Sequence, residues 1–396
     1  MAYADTLPAR PGDGRSAAMP MSDVSAATVP FVDLSHVNAA VEADVLTDTA
    51  GIIASGAFTN GPHVEQFEKA FAAYCGAREC IGVSSGLDGL RLALIAAGVG
   101  AGDEIIVPAQ TFIATFEAVT QAGARPVVVD VSEDDHNLDA AAAEAAVTTR
   151  TRGILPVHLY GQMADMQRLR QLATRRGLRL VEDACQAHGA MRDGLCPGAA
   201  GDAATFSFYP TKNLGAWGDA GAVITNDPAL AGCARSLRQH GERERYFSER
   251  IGYTARLDTL QAAVLLRKLR LLDEWTRQRR EIAAAYAAGL ENVGDIRPLP
   301  VPVGSRPVWH IYPIRTSHTE SLGAFLAERG IGTGRHYREP PHLSRAYAEL
   351  NHRRGDFPVA EGLADESVSL PIFPGMSERQ ATWVTVSIRQ FFARGA

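Results

Sequence analysis

Lysine is almost missing from this chain. Of 39 basic residues, 36 are arginine and only Lys69, Lys212 and Lys268 are lysine. The skew reads as a compositional bias, but it is useful: chemistry that needs a lysine amine has three candidates. Cysteine is scarce as well. Cys75, Cys80, Cys185, Cys196 and Cys233 form no CxxC pair and no ladder of close spacings, which speaks against a zinc site or a secreted disulfide framework. An odd set of free thiols fits a reducing cytoplasm. No apolar run reaches about 18 residues without a charge or a turn residue, so no membrane span is expected. Positive charge is not in excess: the net charge is −6, which leaves no basic footprint for nucleic acid. Residues 1–28 are rich in Ala, Pro, Ser and Gly. They lack the apolar stretch of about 7–15 residues that a secretory signal carries, and they read as a floppy extension.

What is present is enough for a large core. Hydrophobic residues make up 46% and charged residues 21% of 396 positions, a length that suggests two to three domains at about 150 residues each. From Glu79 onward, short β-rich runs (ECIGVSS, EIIVP, RPVVVDV, GILPVHLYG, LRLVEDA) alternate with helical patterns. That alternation predicts an α/β layer around a mostly parallel sheet. ATFSFYP and GAVITND follow too closely for a crossover helix and are expected to pair as a hairpin. A long helical pattern runs from about Asp258 to Leu290, with Leu260, Val264, Leu265, Leu269 and Leu272 on its apolar face. The expected division is a large domain over residues 29–257, then a connecting helix and a smaller α+β domain over 258–396.

The three lysines are not alike. Lys69 falls opposite the stripe Val64, Phe67, Ala70, Phe71 and Tyr74, and Lys268 sits between Arg267 and Arg270; both read as surface lysines on wet helix faces. Lys212 ends the run FSFYPTKNLG, where a strand enters a turn. An amine desolvated beside a packed sheet loses pKa and becomes a nucleophile toward carbonyls; the alternative is a lysine in an ordinary loop. Asp183 ends the apolar strand of LRLVEDACQAHGA. A carboxylate at a strand's C-terminal end lies where α/β proteins bind ligands, and it can keep a pyridinium nitrogen protonated. Read alone, it could equally cap the next turn. Gln186 and His188 follow within reach of the same crevice, or serve as structural polar groups. In GVSSGLDGL, Ser84, Ser85 and Gly86 form a tight turn into a helix, whose amides and dipole suit a phosphate. Ser207 could add a hydroxyl to that phosphate, and Phe112, in PAQTFIAT, could cover a flat ring or pack in the core.

With these pieces in order, the chain resembles the DegT/DnrJ/EryC1/StrS family of sugar aminotransferases. The resemblance runs from about Pro30 to the C-terminus. It rests on PFVDLSHVN, GAFTNGPHVEQFEKAF, SSGLDGL, VPAQTFIAT, PVHLYGQMADM, VEDACQAHGA, FSFYPTKNLGAWGDAGAVITND, GYTARLDTLQAAVL, GIGTGRHY and SLPIFPG. It implies a fold-type I enzyme of α/β class, with a seven-stranded sheet and a smaller C-terminal domain, acting as a cytoplasmic homodimer with shared active sites. It also implies pyridoxal 5'-phosphate as cofactor, held as the internal aldimine of Lys212. Asp183 would pair with the pyridine nitrogen and Gln186 would lie near the ring. Ser207, Ser85, Gly86 and the amide of Leu87 would hold the phosphate. EDACQAHGA with FSFYPTKNLG looks most like the branch acting on 3-keto nucleotide-linked deoxysugars. That gives glutamate and a dTDP-linked keto sugar as substrates, in deoxyaminosugar biosynthesis for a natural product such as an antibiotic or for a surface glycan.

Two positions depart from the family's pattern. Thr254 stands where the family commonly has an Asn that reaches the neighbouring subunit's cofactor phosphate, and Leu87 stands where many members have Thr. A diphosphate substrate calls for cations, and RQHGERERYF offers His240, Arg243 and Arg245 with Tyr246, unless that stretch is only a solvated loop; Tyr337 in GIGTGRHY is a further candidate. Rival readings are an aminotransferase for a 4-keto sugar or a cyclitol ketone, and a catalytically silent regulatory protein on the same fold. The retained Lys212 and Asp183 argue against the silent reading, and Lys212 against a dehydratase, whose family members carry His there.

Overall fold

The structure is a computed structural model that describes residues 28–394, so the expected extension lies, up to Ala27, outside the described residues. Seven strands form the large sheet: β1 (Glu79–Val83), β2 (Glu104–Pro108), β3 (Arg125–Val129), β4 (Thr151–Ile154), β5 (Arg179–Asp183), β6 (Ala203–Ser207) and β7 (Gly221–Thr225). Their spatial order is β1-β7-β6-β5-β4-β2-β3. Pairing is parallel from β3 through to β6, while β7 runs antiparallel to both β6 and β1. The sheet is thus mostly parallel, and β6 and β7 make the antiparallel pair expected from their spacing.

A parallel sheet covered on both faces needs strands apolar throughout, and β2 and β7 are buried at every residue. Successive residues serve opposite cores. Leu180 and Ile224 join Phe67, Phe71, Phe206 and Phe208 on one face, while Val181 and Val223 join Val83, Ile105 and Val107 on the other. Helix α1 (Gly86–Ala96), α2 (Ala114–Gln121) and α3 (Met166–Arg176) lie among the crossovers. The first starts cleanly because the Ser85 side chain accepts the Asp88 N–H at 3.1 Å, supplying one of the amide partners that a helix start lacks.

The long helical pattern is two helices, α4 (Thr259–Leu269) and α5 (Leu272–Gly289). The break falls at Leu271, whose φ of −106° and ψ of −5° interrupt the hydrogen-bond ladder. It lets α4 pack on the Pro62–Cys75 helix while α5 packs on the C-terminal Glu378–Ala393 helix. The smaller sheet holds Arg297–Pro298, Tyr312–Arg315 and Ser367–Leu370, all antiparallel. Its core includes Tyr286, Tyr312, Ile314, Leu370, Val384 and Ile388. Among the described residues, no helix is long and apolar enough to cross a membrane.

Candidate active site

The C-terminal ends of β1, β2, β5 and β6 open into one cavity of about 630 Å³. It gathers Ser85, Gly86, Leu87, Phe112, Asp183, Gln186, Ser207, Lys212 and Tyr337. Eight of these stand at or follow the ends of strands in the large sheet, and Tyr337 reaches in from the later part of the chain.

Asp183 is 6% exposed and held from two sides. Thr115 donates its hydroxyl to Oδ2 at 2.8 Å, and the Cys185 N–H donates to Oδ1 at 3.2 Å. One oxygen thus shapes the next turn, while the residue also lines the cavity. Thr115 is itself fixed by Thr111, hydroxyl to hydroxyl at 2.7 Å. The strand that carries Asp183 is anchored one residue earlier by a buried pair, Glu182 and His158, at 2.8 Å. His158 Nδ1 accepts the Ala164 N–H at 3.2 Å, so Nε2 carries the proton toward Glu182, which also takes the Gly198 and Gly201 N–H groups.

Lys212 lies in the tight segment between β6 and β7. Its N–H bonds the Tyr209 carbonyl at 2.8 Å, and the Ala216 N–H bonds that of Phe208 at 2.8 Å. Burial holds its amine below the usual 10.5, against the opposing pull of Cys185 and Asp183. An amine so lowered spends more time unprotonated and nucleophilic.

The turn at Ser85 and Gly86 is equally tight. A β-carbon on Gly86 would lie 2.7 Å from the Cys185 sulfur and 2.8 Å from the Ser207 β-carbon, and one on Gly221 would lie 2.5 Å from the Ser85 carbonyl. Glycine at both positions lets Ser207 stand against the N-terminus of α1, where free amides and the helix dipole favour an anion. Ser84 is turned away, its hydroxyl bound to Asp88.

Aromatic walls close the cavity. Phe112 is 53% exposed, with its ring centroid 5.5 Å from that of Tyr337. The Tyr337 hydroxyl accepts from Gln186 Nε2 at 2.9 Å, and Gln186 Oε1 accepts the Tyr160 N–H at 2.7 Å. Burial drives the Tyr337 hydroxyl pKa up. It also lowers His336 to about 4 and His310 well below 6.5, with Lys212 adding to both effects, so the two histidines lining the cavity are neutral.

Two expectations need correction. His188 is not at the crevice: it is fully buried against Phe206 and Phe208. Lys268 is not on a wet face. It is 1% exposed, and its amine donates to Asn38 Oδ1 at 2.8 Å and to the Gly215 carbonyl at 2.9 Å. The carbonyls of the Lys212 segment needed a donor, and α4 supplies one from its packed side. His240, Arg243, Arg245 and Tyr246 lie outside the Lys212 cavity and line a separate open cavity of about 1030 Å³. Thr254 stands beside them, its hydroxyl 3.4 Å from His240 Nε2. Reasoning from sequence missed His310 and Arg279, which line the cavity, and Thr115, which holds Asp183 from behind.

The family model described as the DegT/DnrJ/EryC1/StrS aminotransferase family matches residues 40–389. A dTDP-3-amino-3,4,6-trideoxy-alpha-D-glucose transaminase of Streptomyces venezuelae is 47% identical, over 92% of this chain and 97% of that one. A pleiotropic regulatory protein of Geobacillus stearothermophilus is 45% identical, over 92% and 98%. The crystal structure of S. venezuelae DesV in complex with a ketimine intermediate superposes with a TM-score of 0.90 at 46% identity, covering 92% of this chain and 98% of that one.

Proposed function

This chain belongs to the DegT/DnrJ/EryC1/StrS aminotransferase family, and from that membership we propose that it transfers an amino group from glutamate to the C3 keto group of a dTDP-linked deoxysugar. Enzymes of the family are pyridoxal-phosphate dependent, and the cavity fits that group. A glycine-built anion cradle, a carboxylate held by Thr115 and a lowered amine stand in one enclosure. That convergence carries the reading. When bound, the cofactor supplies a carbonyl for the amine and an electron sink in its ring. The chain supplies the rest. Ser85, Gly86, Leu87 and Ser207 hold the phosphate, and Asp183 keeps a proton on the ring nitrogen. Lys212 holds the cofactor until the donor displaces it. It then takes the proton from the donor's α-carbon and later delivers one to the sugar's C3. Phe112 and Tyr337 cover the ring and exclude water.

The working unit we infer is a cytoplasmic homodimer with shared sites, in which Thr254, His240, Arg245 and Tyr246 serve the partner's cavity. Support comes from the segment 242–251, which leaves Tyr246, Phe247 and Ile251 at 80%, 67% and 90% exposed. Transfer to a 4-keto sugar or a cyclitol ketone is the competing chemistry. A regulatory role is what the Geobacillus relative's name says of that protein; the complete Lys212 cavity favours catalysis here.

The test is direct. Purified protein should show a visible cofactor band that glutamate removes, and it should aminate a dTDP-3-keto sugar faster than its 4-keto isomer or an inosose. Lys212→Ala should lose both the band and the transfer. A band or transfer that survives that change would sink the assignment, and a 4-keto preference would move the substrate.

A further inference from the structure

Tyr160 takes no part in the reaction above, yet the chain holds it in a costly shape. It lies in the loop after β4, 1% exposed, with φ at 61° and ψ at 5°. A bulky side chain in the left-handed region is rare and persists only where its surroundings fix it. Here they do. The Tyr160 N–H donates to Gln186 Oε1 at 2.7 Å, its carbonyl accepts the His310 N–H at 2.9 Å, and its hydroxyl donates to the His336 carbonyl at 2.5 Å. Gln110 Nε2 reaches that same carbonyl only at 3.4 Å. Burial lifts the Tyr160 hydroxyl to about 12, so it stays protonated, and a donor, at neutral pH.

Two of these bonds converge on Tyr337. His336 precedes it in the chain, so the Tyr160 hydroxyl fixes the backbone from which the Tyr337 ring projects. The other bond acts at the far end of that ring. A backbone N–H can only donate, so Gln186 must turn Oε1 to Tyr160 and offer Nε2, a donor, to the Tyr337 hydroxyl at 2.9 Å. We propose that Tyr160 is a positioning residue for the cavity: by its hydroxyl and its amide it holds Tyr337 at root and tip, and so keeps that ring closed over the bound cofactor. The proposal rests on the pyridoxal-phosphate reading and adds to it the residue that sets the place of one wall.

Release of pyridoxamine 5'-phosphate tests it. This form bears an amine in place of the aldehyde, so it makes no bond to Lys212, and its loss from the reconstituted holoenzyme can be followed by fluorescence after dilution. Tyr160→Phe keeps the ring and its packing, leaves Gln110 on the His336 carbonyl, and removes only the hydroxyl. It should release the cofactor about fivefold faster than wild type. Tyr337→Ala should be faster still. The double variant should be no faster than Tyr337→Ala alone, because a residue that acts through Tyr337 then has nothing to hold. An unchanged rate in Tyr160→Phe would overturn the proposal. So would an equal acceleration in both backgrounds, which would make Tyr160 a strut for its own loop. Release needs neither amino donor nor sugar, so a holoenzyme that transfers no nitrogen would count against the transfer reading alone. A wild type that does not hold pyridoxamine 5'-phosphate would overturn both.

Discussion

Replacing Lys268 by Met gives a sharp test of how the Lys212 segment is held. Lys268 is buried, and burial lowers its amine to about 8 from the ordinary 10.5. A gap of roughly 2.5 units corresponds to about 3 kcal/mol that the folded chain spends keeping the amine charged at neutral pH. The bonds to Gly215 and Asn38 act against that cost, since hydrogen bonds from a charged donor contribute roughly 1.5–3 kcal/mol each. Methionine removes penalty and bonds together, so the loss of stability at pH 7 should be no more than about 3 kcal/mol. The dependence on pH is more telling. Below pH 8 both folded and unfolded chains hold the proton. Between about 8 and 10.5 the folded chain releases it while the unfolded chain keeps it, so this site's contribution to stability rises with pH. Urea midpoints at intervals from pH 7.5 to 9.5 should show wild type gaining about 2 kcal/mol relative to Lys268→Met. Parallel profiles for the two proteins would refute the reasoning, because they would mean that Lys268 titrates alike in both states.

Other changes probe the cavity itself. Thr115→Val keeps the shape but removes one hydrogen bond to the Asp183 carboxylate; equilibrium dialysis should show pyridoxal phosphate bound about tenfold more weakly, with the fold intact by circular dichroism. Gly86→Ala drives a methyl group against Cys185 and Ser207, so cofactor binding should be lost while urea stability falls by about 1–3 kcal/mol; normal cofactor retention would show that the turn is not the cradle. In cofactor-free protein, competitive acetylation should give Lys212 an apparent pKa below 10.5, since burial disfavours its charged form; a value at or above 10.5 would contradict that account.

The large sheet was legible because each strand is a short apolar run between turn residues, and because β6 and β7 are too close for a crossover. Ser85, Gly86, Asp183, Ser207 and Lys212 were legible for a related reason: all stand where a strand ends. Residues that reach the site from helices were not. Lys268 and Arg279 sit in arginine-rich stretches that look solvated. Yet Val264, Leu265 and Lys268 share one helical face, as do Trp275, Arg279, Ile282, Ala283 and Tyr286; spacing of 3 and 4 would have put both cations inside. Thr115 gave no comparable sign, since its role depends on a carboxylate 68 positions away. Nor could spacing separate His240, Arg245 and Tyr246 from Lys212, because a cluster's own sequence does not say which cavity it borders.

The reversed strand β7 has a mechanical consequence. It lies beside β6 in the opposite direction, so residues 208–220 leave the sheet and re-enter it at the same edge. The Phe208 N–H clasps the Ala220 carbonyl at 2.8 Å where the two feet meet. Lys212 therefore rides on a closed clasp rather than a free arm, with Lys268 pinning it from beneath. In the reaction proposed above the amine yields its place to a donor and then works beside it, so it has to move, and here the backbone contributes little to that travel. The stroke belongs to the flexible four-carbon stem of the side chain, which swings about a fixed pivot. Lengthening the clasp would shift that pivot, whereas growth in the exposed 242–251 segment would leave it where it is.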